Sequence, residues 1–180
     1  MQVTQELWDK SVEFHGHACP GLAIGFRLAA EAASFLGLPG RSSDEELLCI
    51  AETDACGIDA VQVLLGCSLG KGNLMLRLRG KNAMTFVHRP TNRACRAVWR
   101  QPKLDTPLNR EENIEMILSE QGREYCSVAE VAAPDLPKAV MSKSEPCAKC
   151  GESTAEHMLR RVNGQNFCMD CAPNASRIIP

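Results

Sequence analysis

Four cysteines near the end of the chain stand as two C-x2-C pairs, Cys147/Cys150 and Cys168/Cys171, with seventeen residues between them. Each pair lets two thiolates reach one tetrahedral ion, and the segment between them is long enough for a short hairpin. This spacing predicts a structural zinc site. Two disulfides or four free thiols are the alternatives. The N-terminal segment lacks the basic-then-apolar layout of an export signal, which favours a cytoplasmic setting and thiolate–metal chemistry over disulfides. A second group of donors lies earlier. His17 and Cys19 sit two apart in a glycine-bounded loop, and Cys56 stands at the expected head of another helix. A thiol at a helix start is favoured as thiolate, so it suits a metal or a nucleophilic role. Three such donors around one ion would leave a fourth position open, as a catalytic zinc site requires. From spacing alone an isolated cysteine is more often a small buried hydrophobe than a ligand.

Several elements must position these groups. Residues 5–14 read as a short helix. Pro20 suits the first turn of a helix over 21–37, which ends at Gly37 with Pro39 beyond. Its small residues Gly21, Ala23, Gly25, Ala29 and Ala30 permit close packing against another element, a second copy of the chain among the options. Residues 47–52 read as an apolar strand. Residues 54–65 read as a helix capped by Thr53 or Asp54 and stopped by Gly66. Strands are expected over 74–78 and 84–88, joined as a hairpin at Gly80-Lys81-Asn82, and over 94–100. Asn109 is a cap for a helix running to Gln121. The proline-bearing stretch 132–146 reads as a linker, dividing a core domain over 1–131 from a zinc module over 147–180.

Composition narrows the function classes. Apolar residues make up 44% of the 180 residues and aromatics only 4%, so the core must be aliphatic. The net charge of −2 points to neither nucleic acid nor membrane, and no apolar run is long enough to span a bilayer. Charge is uneven, however. Lys71 to Arg110 holds ten Lys/Arg and one acid, Asp105, which reads either as a solvated face or as a basic wall for an anionic ligand or partner. Mixed charges and few aromatics within the four-cysteine module argue against nucleic-acid binding.

The string from Phe14 to Gly25, FHGHACPGLAIG, resembles the opening signature of the formylmethanofuran dehydrogenase E-subunit (FmdE) family. The stretches Glu52–Gln62, Gly66–Leu74 and Gly80–Phe86 continue the resemblance in order, so it spans most of residues 10–100. The four-cysteine module is similar to the treble-clef zinc finger attached to some members. The chain departs from the pattern at Arg77-Leu78-Arg79, where an acidic residue usually precedes the Gly-Lys turn.

The resemblance implies an α+β core, with helices packed on a mainly antiparallel sheet, and a small C-terminal treble-clef finger. It implies a homodimer and a pocket near the motif residues. Carried over by position, His17, Cys19 and Cys56 become metal ligands for a second ion in the core. His15, Asp54 and Asp59 become groups that orient a ligand or move a proton, and Lys71, Asn73 and Thr85 line the pocket for an anion or carbonyl. The implied setting is one-carbon or molybdenum/tungsten enzyme metabolism, related to methanogenesis. The competing reading is a non-catalytic accessory subunit that docks on a larger redox enzyme. Cys49, Cys67, Cys95 and Cys126 read as buried thiols without a role.

Overall fold

The computed structural model describes residues 4–136, 138 and 141–173. The chain forms two units, residues 1–139 and 140–180, which divide within the expected linker. The first unit carries helices α1 (Gln5–His15), α2 (Pro20–Leu36), α3 (Gly57–Leu65), α4 (Arg110–Leu118) and the single turn α5 (Glu120–Arg123). Its sheet comprises β1 (Leu47–Ala51), β2 (Leu74–Leu76), β3 (Ala83–His88), β4 (Arg93–Trp99) and β5 (Cys126–Val131), in spatial order β2-β1-β3-β4-β5. Only the β1–β2 pair is parallel, so the sheet is mainly antiparallel and the unit is α+β.

That order corrects the expected hairpin. Residues 74–78 and 83–88 are not neighbours, because β1 lies between them. The physical reason is burial. Leu47, Leu48, Cys49 and Ala51 of β1 are all enclosed, which demands cover on both faces and a strand on each side. Arg77 and Arg79 donate their backbone N–H groups to Ala51 and Glu52, so the chain crosses the end of β1 before turning at Gly80. β5 was not anticipated from the sequence. It pairs along the whole of β4, from Ala94↔Val131 to Trp99↔Cys126.

The core is a helix layer on one face of this sheet. Cys49, Ala51, Met84, Phe86, Cys95 and Ala97 point to the helices and meet Leu22, Ala23, Phe26, Ala29 and Ala30 of α2. The other face carries a smaller cluster of Leu48, Val87 and Ala94, covered in part by Val131, Ala133 and Leu136. Thus the proline-bearing stretch is not all linker: Ala133 and Leu136 belong to the first unit, and Ser144–Pro146 forms a strand of the second. The small residues of α2 are consumed inside the chain. Ala23, Gly25, Ala29 and Ala30 are buried within the chain, while Ser34 and Phe35 near the end of the helix are exposed. Arg27, also buried, donates to the carbonyls of Ile117, Leu118 and Ser119 and pairs with Glu31, tying the end of α4 to α2.

An ion pair marks the open face where β1 ends. Arg96 donates to both Glu52 oxygens, at 2.6 and 2.8 Å, in a fork geometry. The Arg96 hydrogen bonds hold the Glu52 carboxyl below its ordinary value of 4.5. A carboxylate depressed in the folded state stabilises above its unfolded pKa, and that contribution disappears as pH falls through the folded value. Glu52→Gln is therefore expected to lose less stability than wild type between about pH 7 and about pH 3.5. Urea midpoints at the two pH values read the difference directly. Equal losses in the two proteins would show that the pair adds nothing.

Candidate metal centre

Three helix ends bring the core donors together. α1 closes at His15, and Gly16 follows in the left-handed region at φ 89°, a conformation that favours glycine. The chain reverses through His17 and Ala18 into α2. Cys19 is the cap of that helix: its Sγ accepts from the Leu22 N–H at 3.3 Å, and Pro20 occupies the first helical position. Cys56 immediately precedes α3, with helical backbone angles and no side-chain cap bond. That helix starts at Gly57, later than expected, so Asp54 is not its cap. Asp54 lies exposed in the preceding loop, while the Thr53 hydroxyl accepts from the Ala55 N–H.

A close crossing of α2 and α3 sets the cysteine positions. Gly25 and Gly57 meet backbone to backbone. A Cβ on Gly25 would lie 2.1 Å from the Gly57 carbonyl oxygen, and one on Gly57 would lie 2.9 Å from the Gly25 Cα. Gly21 makes the second close approach, since a Cβ there would sit 3.3 Å from Cys56 Cβ and 3.9 Å from Cys19 Sγ.

The donor group that results is His15, Cys19 and Cys56, whose ligand atoms all lie within 4.8 Å of one another. This changes the expected histidine. His17 is exposed and outside the group, its ring lying beside that of His15 with centroids 4.6 Å apart. His15 faces inward because Asp59, in the first turn of α3, holds its Nδ1 at 2.7 Å. The other ring nitrogen, Nε2, then lies 3.7 Å from Cys19 Sγ. Asp59 is held in turn by Gln62 Nε2 at 3.1 Å. Gln62 was missed in the sequence, although its i,i+3 spacing from Asp59 on one helix face was a usable signal. Burial, and then the neighbouring Cys19 thiol, raise the Cys56 pKa. Two thiols and an imidazole oriented by a carboxylate match a zinc-type donor set with its supporting partner, and they leave one coordination position unfilled.

Lys71, Asn73 and Thr85 are placed elsewhere. Asn73 is buried at the start of β1, where it accepts from the Ser68 N–H and donates to the Asp44 and Leu47 carbonyls, so both ends of its amide are engaged in holding the loop. Lys71 belongs to the same loop, at the opposite end of β1 from Cys56. Thr85 stands in register with Ile50 and Arg96, on the sheet face away from the helices. Cys49, Cys67 and Cys95 are buried thiols, and burial pushes Cys67 and Cys95 up to about 12.

In the second unit, Cys147, Cys150, Cys168 and Cys171 also place their sulfurs within 4.8 Å of one another. Two short hairpins carry them. β6 (Ser144–Pro146) pairs with β7 (Ser153–Ala155), and β8 (Arg160–Val162) pairs with β9 (Gln165–Phe167). Gly151, at φ 77°, closes the first cysteine turn, and Ala172 N–H bonds back to Cys168 in the second. Backbone N–H groups around Cys147, with that of Cys150 foremost, lower its pKa to about 6, whereas the Cys168 thiol beside Cys171 pushes that group up to about 12. A zinc ion would offset the charge of four thiolates held this close together. The last seven residues of the expected module, 174–180, lie outside the described residues. Among the described residues no helix is long and apolar enough to cross a membrane.

Comparison with known proteins agrees with both units. The family model described as FmdE, molybdenum formylmethanofuran dehydrogenase operon, matches residues 14–135. The model of the prokaryotic dksA/traR C4-type zinc finger matches residues 142–175. The chain is similar to the crystal structure of a tungsten formylmethanofuran dehydrogenase FmdE-like protein from Syntrophus aciditrophicus. The TM-score is 0.71 at 24% identity, covering 93% of this chain and 90% of that one. It is also 28% identical to a probable S-adenosyl-L-methionine-binding protein of Archaeoglobus fulgidus. That match takes in 91% of this chain but only 51% of the relative, so the chain spans about half of that protein's length.

Proposed function

The chain belongs to the FmdE family and ends in a C4 zinc-finger domain, and from that premise we propose that its core is a metal-binding module in which His15, Cys19 and Cys56 hold one ion. The observation that carries this reading is the His15–Asp59 contact of 2.7 Å, which turns the remaining ring nitrogen toward Cys19. A carboxylate behind a histidine is the usual way a protein fixes a metal-binding tautomer. Thiolate and imidazole donors favour zinc over harder cations, and the open fourth position suits a water or a substrate oxygen. A metal held there would supply Lewis acidity. The chain's own residues would orient it, with Asp59 and Gln62 acting through His15. The four-cysteine finger would hold a structural zinc. The family's association with the formylmethanofuran dehydrogenase operon supports a place in one-carbon or molybdenum/tungsten enzyme metabolism, and ten cysteines without a disulfide among them suit a reducing cytoplasm.

The experiment is metal analysis of the purified chain. About two ions per chain are expected, falling to about one in Cys56→Ser and in His15→Gln, with His17→Gln unchanged. One ion in wild type, or a loss in His17→Gln equal to that in His15→Gln, would overturn this ligand set.

A second reading, an accessory subunit docking on a larger enzyme, draws on the edge of the sheet. Met75, Leu76 and Leu78 are exposed there, interleaved with exposed Arg77 and Arg79. A homodimer would draw on a surface of this kind, because the small residues Ala23, Gly25, Ala29 and Ala30 of α2 are buried.

A further inference from the structure

We propose that Cys19 and Cys56 form a redox-active dithiol, oxidised by hydrogen peroxide to a disulfide that withdraws both sulfurs from metal binding. Four features single out this pair among the six cysteines of the first unit. The two sulfurs lie within 4.8 Å of each other, and each belongs to a residue at the start of a different helix. A disulfide requires closure to roughly 2.05 Å, a distance that side-chain rotation can cover if nothing stands between. Gly21 leaves the flank of the pair open, since a Cβ there would pack beside both sulfurs, at 3.6 Å from Cys56 Sγ and 3.9 Å from Cys19 Sγ. The pair is also reachable. Peroxide reaches it past Cys56, which is half-buried; Cys19 behind it is 8% exposed, whereas Cys49, Cys67 and Cys95 are sealed in the core at 0%. Finally, His15 Nε2 lies 3.7 Å from Cys19 Sγ, where it can accept the thiol proton as the sulfur reacts.

The chemistry balances in two steps. Cys19 sulfur attacks one peroxide oxygen. The S–O bond forms, the O–O bond breaks, and the thiol proton, relayed through His15, leaves with the departing hydroxide as water. Cys56 sulfur then displaces the hydroxyl of the Cys19 sulfenic acid, forming the S–S bond and a second water. Two electrons pass from the sulfurs to peroxide, and a dithiol reductant reverses the result by exchange. The disulfide itself follows from this geometry alone. Its effect on metal occupancy rests on the three-ligand reading above.

The test uses the full wild-type chain in two states, with one and with two equivalents of zinc. Peroxide is added, free thiols are blocked with N-ethylmaleimide, and unreduced peptides are mapped by mass spectrometry. With one equivalent, which the four-thiolate finger takes first, a Cys19–Cys56 cross-link reversed by dithiothreitol is expected. The second equivalent should lower its yield at least about fivefold, because metal-bound thiolates are shielded from oxidant. In Cys56→Ser, dimedone should instead trap a sulfenic acid on Cys19. Recovery of both residues as alkylated thiols in the one-equivalent sample, or their separate over-oxidation without a cross-link, would overturn the dithiol whether or not a second zinc binds. A cross-link that forms equally in both states would leave the dithiol standing and remove the metal reading instead.

Discussion

Stripping zinc with a strong chelator, or replacing Cys150 by Ser, is expected to unfold the C-terminal unit and leave the core folded. Among the described residues of that unit, only Cys147 and Cys168 are buried. Its strands are three residues each, in two-stranded ribbons that are marginal in water by themselves. Among the described residues, the two ribbons are joined by a backbone bond from Ala148 to the Asn166 carbonyl, a side-chain bond from Asn166 to Glu145, the Cys168 N–H bond to Cys147 Sγ and the rest of the cysteine cluster. A structural zinc supplies about 10–16 kcal/mol of apparent binding free energy to modules of this size, far more than these bonds. The measurement is limited proteolysis with amide spectra: residues 141–173 should become protease-sensitive while the core keeps its transition. A tail that stays resistant without metal would show that packing holds it. Loss of the core transition at the same point would show that the two units unfold as one.

Gly25→Ala should destabilise the core by about 3 kcal/mol or more and abolish the metal binding proposed for it, because overpacking against backbone cannot be relieved by a rotamer change. The added carbon would sit 2.1 Å from the Gly57 carbonyl oxygen, so α2 and α3 must separate. Separation pulls Cys19 away from Cys56, since each residue is fixed to the start of its own helix. The melting temperature should fall by roughly 10 °C. Gly37→Ala provides the comparison. Gly37 ends α2 at φ 68° with nothing within 4 Å of an added carbon, so its cost is the conformational one alone, about 1 kcal/mol. A Gly25→Ala protein that melts within about 2 °C of wild type would show that the crossing can relax, contrary to the dense-packing argument.

Much of this was legible in the chain. The two C-x2-C pairs identify the finger because ligand spacing is a local property. Pro20, the alanine-rich run and Gly37 delimit α2 for the same reason, and Asn109 with Glu112 announces the capping box that opens α4. Cys19 and Cys56 were recognisable as donors because helix starts are written in short-range signals.

Which histidine joins them was not written locally. His15 and His17 are two residues apart, at the end of α1 and in the loop that follows. The choice between them is made by the Gly16 turn and by Asp59, which reaches His15 across 44 positions of sequence. The same limit explains the sheet. Alternation around Gly80-Lys81-Asn82 looks like a hairpin, yet the apolar character of β1 on both faces makes insertion between β2 and β3 the better burial. That insertion places Lys71 and Asn73 at the far end of β1 from the cysteines and turns Thr85 to the other face. Spacing along the chain thus determined which residues carry donor chemistry and where helices begin. Tertiary structure decided which of those donors meet, because strand order and helix crossing minimise exposed apolar surface over the whole core, a quantity that no short window of sequence contains.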